Sequence, residues 1–126
     1  VELAKRPGIT VISTGGRLRP TTLALVGPLA AQPLREVYVD KAFIGVNGFS
    51  LEEGMTTHDE TEALTTRAMI RSARKVVVVA DHTKLNRVTF SRMGTISQVQ
   101  TLITDHGADP EVLAALRRAG LEVIAV

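Results

Sequence analysis

Four consecutive valines, Val76-Val77-Val78-Val79, constrain the fold of this chain more than any other stretch. A short β-branched run flanked by charges fits a strand buried on both faces, the pattern of a parallel sheet. The run leads into Asp81 and Lys84. Ligands of open α/β sheets bind outside the carboxyl ends of the strands. A lysine there is placed to meet an anion, and an aspartate beside it can orient the lysine or a sugar hydroxyl.

The flanking sequence supplies elements that alternate in the same way. Val1–Arg6 reads as the tail of a helix, stopped by Pro7-Gly8. Ile9–Ser13 reads as a short strand closed by Thr14-Gly15-Gly16, and Leu23–Val26 as a strand or extended connection. Gly27-Pro28 opens a helix through Leu34 and Arg35, which Pro33 shortens or kinks. Val37–Val46 is a strand running into a loop that holds Gly48 and Gly54. Thr57-His58-Asp59-Glu60 carries helix-start chemistry for a helix from Glu60 to Arg74, and Val76–Ala80 follows at once. A weakly patterned stretch reaches Val99. Leu102–Thr104 is a strand, Asp109-Pro110 caps a helix that runs to Arg118 and ends at Gly120, and Leu121–Val126 is a last strand. Strands and helices joined by short connections predict an α/β domain of three layers, a mostly parallel sheet with helices on both faces. A chain that opens on a helix tail is expected to lack an earlier strand–helix unit.

Composition narrows the function. The 126 residues suffice for one domain with a core. The absence of cysteine removes disulfides, thiolate metal sites and cysteine nucleophiles. No apolar run approaches the roughly 20 residues of a membrane helix. Fifteen basic residues against thirteen acids are scattered, and three Phe, one Tyr and no Trp offer little for base stacking. The basic knots Arg71–Lys75 and Arg117-Arg118 read as solvated helix ends. His58, His82 and His106 fall on separate loops without metal-ligand spacing, so no metal and no cofactor are expected. No Gly-x-Gly-x-x-Gly or Walker-type loop occurs.

Parallel strands bring their polar ends to one rim. Thr14-Gly15-Gly16, Asp40 with Gly45 to Gly48, Asp81 to Lys84, and Thr104-Asp105 are the clusters so gathered. Gly15-Gly16 also suits a simple turn, and Asp105 a turn or cap. Asp40 differs, because a carboxylate within an apolar strand is costly unless it meets a partner or ligand. Asp59, Glu60 and Glu62 open a helix, where negative charge needs no functional account, although Asp59 or Glu62 could face the rim.

Taken as ordered blocks, the chain resembles the effector-sensing domain of DeoR-family bacterial transcriptional regulators. The blocks are Ser13–Arg19, Gly27, Val39–Gly48, Gly54-Met55-Thr56, Glu62-Ala63, Met69-Ile70, Ala80–Leu85 and Ile103–Asp105. The resemblance implies a ribose-5-phosphate isomerase-like fold, shared with glucosamine-6-phosphate deaminase and coenzyme A transferases, with the N-terminal part of the domain missing. Residues 1–126 would be the C-terminal part of a sensor that binds a phosphorylated sugar or sugar-derived metabolite, in a cytoplasmic homo-oligomeric repressor. Contact with DNA would come only through an N-terminal winged helix-turn-helix absent from this chain. The effector-binding residues implied are Asp40, Gly45, Gly48, Asp59, Glu62, Asp81 and Lys84.

The same resemblance weighs against catalysis. The loop Asp81–Lys84 is similar to the isomerase loop whose lysine holds substrate phosphate, a role implied for Lys84. The isomerase also needs a second carboxylate in its strand turn, a lysine in the following glycine loop and a glutamate base. Here Phe43 stands at the second acid's place, the loop Asn47–Gly54 has no lysine, and the base position falls near Thr66, one turn from Glu62. Binding without turnover is the expectation, and an isomerase- or deaminase-like enzyme with a rearranged base is the alternative.

Overall fold

The computed structural model describes residues 2–126. The valine run sits at the centre of the main sheet. Strands β3 (Val39–Gly45), β6 (Ala73–Val79), β8 (Thr101–Thr104) and β9 (Glu122–Ala125) pair in the order β3-β6-β8-β9, all parallel. Helix α2 (Glu60–Ser72) connects β3 to β6 by way of a small sheet, and α3 (Pro110–Arg118) connects β8 to β9. The α/β class with a parallel sheet flanked by helices is thus as expected.

Helix boundaries follow capping chemistry. Asp59 caps α2 by accepting from the Glu62 amide at 2.8 Å, and Asp109 caps α3 by accepting from the Glu111 amide. Helix α1 (Pro28–Leu34) starts on Pro28 and packs against α2. Helix α2 stops two residues earlier than its pattern suggests. Ala73 takes extended geometry (φ −94, ψ 140) and pairs with Val39, so Arg74 and Lys75 belong to the amino end of β6.

The core lies on one face of the sheet. Ala42, Ile44, Val76, Val78 and Leu102 point into it, against Ala63 and Ile70 of α2 and Leu113 and Leu116 of α3. A second, antiparallel sheet of β4 (Gly48–Ser50), β5 (Gly54–Thr57) and β7 (Ser91–Gly94) closes it with Phe49, Met55 and Met93. These three short strands lack a strand signature in the sequence, each carrying Gly at an end and two of them Ser. Gly54 turns the β4–β5 hairpin at φ +70, and an added Cβ would stand 2.3 Å from the Gly94 carbonyl oxygen. Across the main sheet, Phe43, Val79 and Ile124 are exposed. The valine run is therefore buried through Val78 (0% exposed), while Val79 at its mouth is 45% exposed.

The residues before Gly27 depart furthest from expectation. Leu3–Lys5 forms a 3-10 turn, and Val1 lies outside the described residues. Ile9–Ser13 is not a strand. Among the described residues, strands β1 (Arg17–Leu18) and β2 (Leu25–Val26) pair only with each other, and Ile9, Val11 and Ile12 stay exposed with no ladder to join.

Removing a buried Leu side chain costs transfer free energy plus a cavity. Leu102→Ala is expected to destabilise the fold by about 2–5 kcal/mol. Val79→Ala, on the exposed side of the mouth, should stay within about 0.5 kcal/mol. Urea melts of the two variants check this, and equal losses would contradict the burial difference.

Candidate functional site

The parallel register puts Gly45 beside Val79, and Val79 beside Ile103, so the carboxyl ends of β3, β6 and β8 form a continuous rim. Three loops leave it: Val46-Asn47 after β3, Ala80–Leu85 after β6 and Asp105–Ala108 after β8. The last two are joined. Asp105 accepts from the His82 amide at 2.7 Å and from the Gly107 amide at 2.8 Å, and its other contact is His82 Nδ1 at 2.8 Å. These donors, the His82 amide first, hold the Asp105 carboxyl down at about 2. Asp105 therefore does more than shape a turn.

Within the β6 loop, Asp81 accepts from the Thr83 amide and hydroxyl, closing a 3-10 turn over His82–Lys84. The Thr83 hydroxyl and amide and the Lys84 charge lower the Asp81 carboxyl against partial desolvation. Lys84 Nζ lies 3.9 Å from Asp81, beyond hydrogen-bond range. Its side chain is 31% exposed.

A second polar network meets the loop after β3. Glu62, in the first turn of α2, accepts from Arg19 at 2.9 Å and from the Thr57 hydroxyl at 3.1 Å. Thr57 Oγ1 also lies 2.8 Å from the Asn47 side chain. One hydroxyl proton cannot serve two acceptors. Turning the Asn47 amide so that its NH₂ donates to Thr57 leaves the hydroxyl proton for Glu62. Arg19 also stands 3.6 Å from Asp59, whose carboxyl is lowered chiefly by the Glu62 amide. Asn47, Glu62, Thr65, Thr66 and the Gly45-Val46 backbone line an open cleft of about 320 Å³, walled on its far side by β2.

The seven candidate residues thus separate into groups. Gly45 and Glu62 line this cleft, with Asp59 tied to its rim through Arg19. Asp81 and Lys84 stand on the neighbouring loop and are not part of the cleft wall. Gly48 is packed rather than open: a Cβ there would lie 2.5 Å from the Arg87 carbonyl oxygen. Asp40 is not on the rim, contrary to expectation. It is the second residue of β3, roughly 16 Å of strand before Gly45 at ~3.3 Å per residue. Its side chain is 90% exposed and pairs with Arg74 at 3.7 Å, which answers the cost of a carboxylate in that strand. Arg19, Thr57 and Asn47 had no assigned role. Arg19 and Asn47 lay inside the recognised blocks, but only folding brings a residue 43 positions away onto Glu62.

A family model described as the DeoR C-terminal sensor domain matches residues 1–106. The chain is 36% identical over its whole length to the uncharacterized HTH-type transcriptional regulator YulB of Bacillus subtilis, covering 49% of that protein. It is 36% identical over 98% of its length to a putative aga operon transcriptional repressor of Escherichia coli O157:H7, covering 46% of it. It is 34% identical over 97% of its length to the transcriptional repressor GlcR of Bacillus subtilis, covering 47% of it. The chain spans about half the length of the curated relatives it matches.

The Asp105 latch carries a pH signature. Its folded carboxyl titrates near 2 and an unfolded one near 3.8, so its contribution to stability is present above about 3.8 and is lost as pH falls toward 2. Asp105→Asn is expected to flatten the fall in melting temperature between pH 4 and pH 2. Parallel profiles for variant and wild type would show that the latch contributes nothing.

Proposed function

The chain belongs to the DeoR C-terminal sensor domain family, and on that premise we propose that it binds a phosphorylated sugar or sugar-derived metabolite at the carboxyl rim of its sheet. The domain is regulatory rather than catalytic, as its relatives are named regulators and repressors. In this reading it is the sensing part of a longer cytoplasmic regulator, whose DNA contacts belong to a winged helix-turn-helix in the remaining half. Effector binding shifts the population between oligomer geometries of different DNA affinity.

The observation that carries the reading is Lys84. It is held at the mouth of the central strand by a capped turn, and its nearest carboxylate is too far to take its donors. An oxyanion arriving there gains a charge-assisted hydrogen bond. The neighbouring polar residues suit binding better than turnover. Thr66, at the position the isomerase resemblance gives to a base, has no basic group, and Glu62 is engaged through one oxygen by Arg19 and Thr57. Proton abstraction needs a base within hydrogen-bond reach of its target. Asn47 and the Gly45-Val46 backbone, which line the cleft, are left to meet hydroxyl or carbonyl groups.

Titration calorimetry against a panel of sugar phosphates tests this, with product analysis on the same samples. Saturable binding without product is expected for at least one member. Lys84→Ala should weaken that binding by about 1.5–3 kcal/mol, the range for a hydrogen bond to a charged group. Unchanged affinity would remove Lys84 from the site, and measurable turnover would overturn the regulatory reading of the pocket.

A further inference from the structure

At the opposite end of the sheet from the effector rim, a groove of about 390 Å³ lies between the end of α1, the chain entering β3 and the second half of α2. Its floor includes Leu34 and Leu64, and its wall includes Tyr38, 88% exposed. Three arginines line it: Arg35, the residue that ends α1, and Arg67 and Arg71 of α2. No Asp or Glu lines it, and among the described residues none of the three arginines has a carboxylate within 4.0 Å.

A helix end favours one nearby cation, which accounts for Arg35 or Arg71 taken singly. It does not call for three around a concave apolar floor. Arg67 and Arg71 are four residues apart on one helix face, where like charges repel. Arg67 is also fixed in place, because its NH1 donates to the Arg92 carbonyl at 2.6 Å and leaves its other donors unengaged. Planar guanidinium forks match phosphate and carboxylate oxygens in bidentate fashion, and an aromatic ring beside an apolar floor accepts a hydrophobic body.

We propose that this groove is a second ligand site, separate from the effector rim, that takes a small organic phosphate with an apolar body. The phosphate sits among Arg35, Arg67 and Arg71, and the body lies on Leu34 and Leu64 against the Tyr38 ring. The site stands independently of the effector reading, since Lys84 belongs to the other end of the strands.

The chain has one tyrosine and no tryptophan, so its intrinsic fluorescence reports on this groove alone. The probe is cyclohexyl phosphate, which does not absorb where tyrosine does, with cyclohexylamine as the cationic control. Calorimetry and Tyr38 fluorescence are followed together at low salt. Expected are a saturable signal in both for the phosphate, none for the amine, an affinity at least tenfold lower by Tyr38 fluorescence in Arg35→Gln/Arg71→Gln, and unchanged affinity in Arg118→Gln, an exposed arginine at the end of α3. Arg71→Lys, which keeps the charge but loses the fork, should retain an intermediate affinity. No saturable binding, binding without a Tyr38 response, equal affinity in the double Gln variant, or an equal loss in Arg118→Gln would each overturn the proposal. Should the double variant fail to fold, the wild-type fluorescence titration and Arg71→Lys decide it.

Discussion

The parallel pairing of β6 with β3 on one side and β8 on the other is the constraint on which the rest depends. It is a backbone interaction that sets Val76 and Val78 on the core face, level with Ala42, Ile44 and Leu102. Once that register is set, both ends of the sheet are determined. Gly45, Val79 and Ile103 come level at one end, and Val39 and Ala73 at the other. The loops then have no choice about which neighbours they meet. Asp105 meets His82 because β6 and β8 end together, and Asp40 meets Arg74 because β3 and β6 start together.

Sequence reasoning therefore worked where one strand or helix carried its own signal. The valine run, the Asp59 and Asp109 caps and the Pro28 helix start all rest on local chemistry, and all are in place. It failed where the decision was tertiary. Ile9–Ser13 has the apolar content of a strand, but a strand needs a ladder, and none is offered to it among the described residues. Strands β4, β5 and β7 have the opposite character: poor strand formers held because Phe49, Met55 and Met93 close the core. Propensity is a weak prior beside such burial.

The candidate site divides along the same line. The position of Asp81 and Lys84 at a strand mouth was legible because they follow a recognisable strand within a few residues. Asp40 was misplaced because strand membership alone does not say which end a residue occupies; its position near the start of Val39–Gly45 does. The Arg19–Glu62–Thr57–Asn47 network was out of reach, since its members come from four separate segments. Recognised blocks contained three of them, Arg19, Asn47 and Glu62, without telling which atoms they touch.

Helix α2 runs the length of this division and gives it a mechanical meaning. Its thirteen residues rise about 1.5 Å each, roughly 20 Å from first turn to last. The first turn holds Glu62 against Arg19 and Thr57 beside the rim, and the last turns present Arg67 and Arg71 to the far groove. Ala63 and Ile70 of the same helix are locked in the core between them. A ligand that rearranged the Glu62 contacts would act on a rod whose other end lines the second groove. Close-packed elements of this kind transmit displacement as rigid shifts, not by gradual bending. Coupling between the two proposed sites would then be reciprocal in free energy, each ligand changing the affinity of the other by the same factor. A factor different from one is what distinguishes coupled sites from two that merely coexist on one surface.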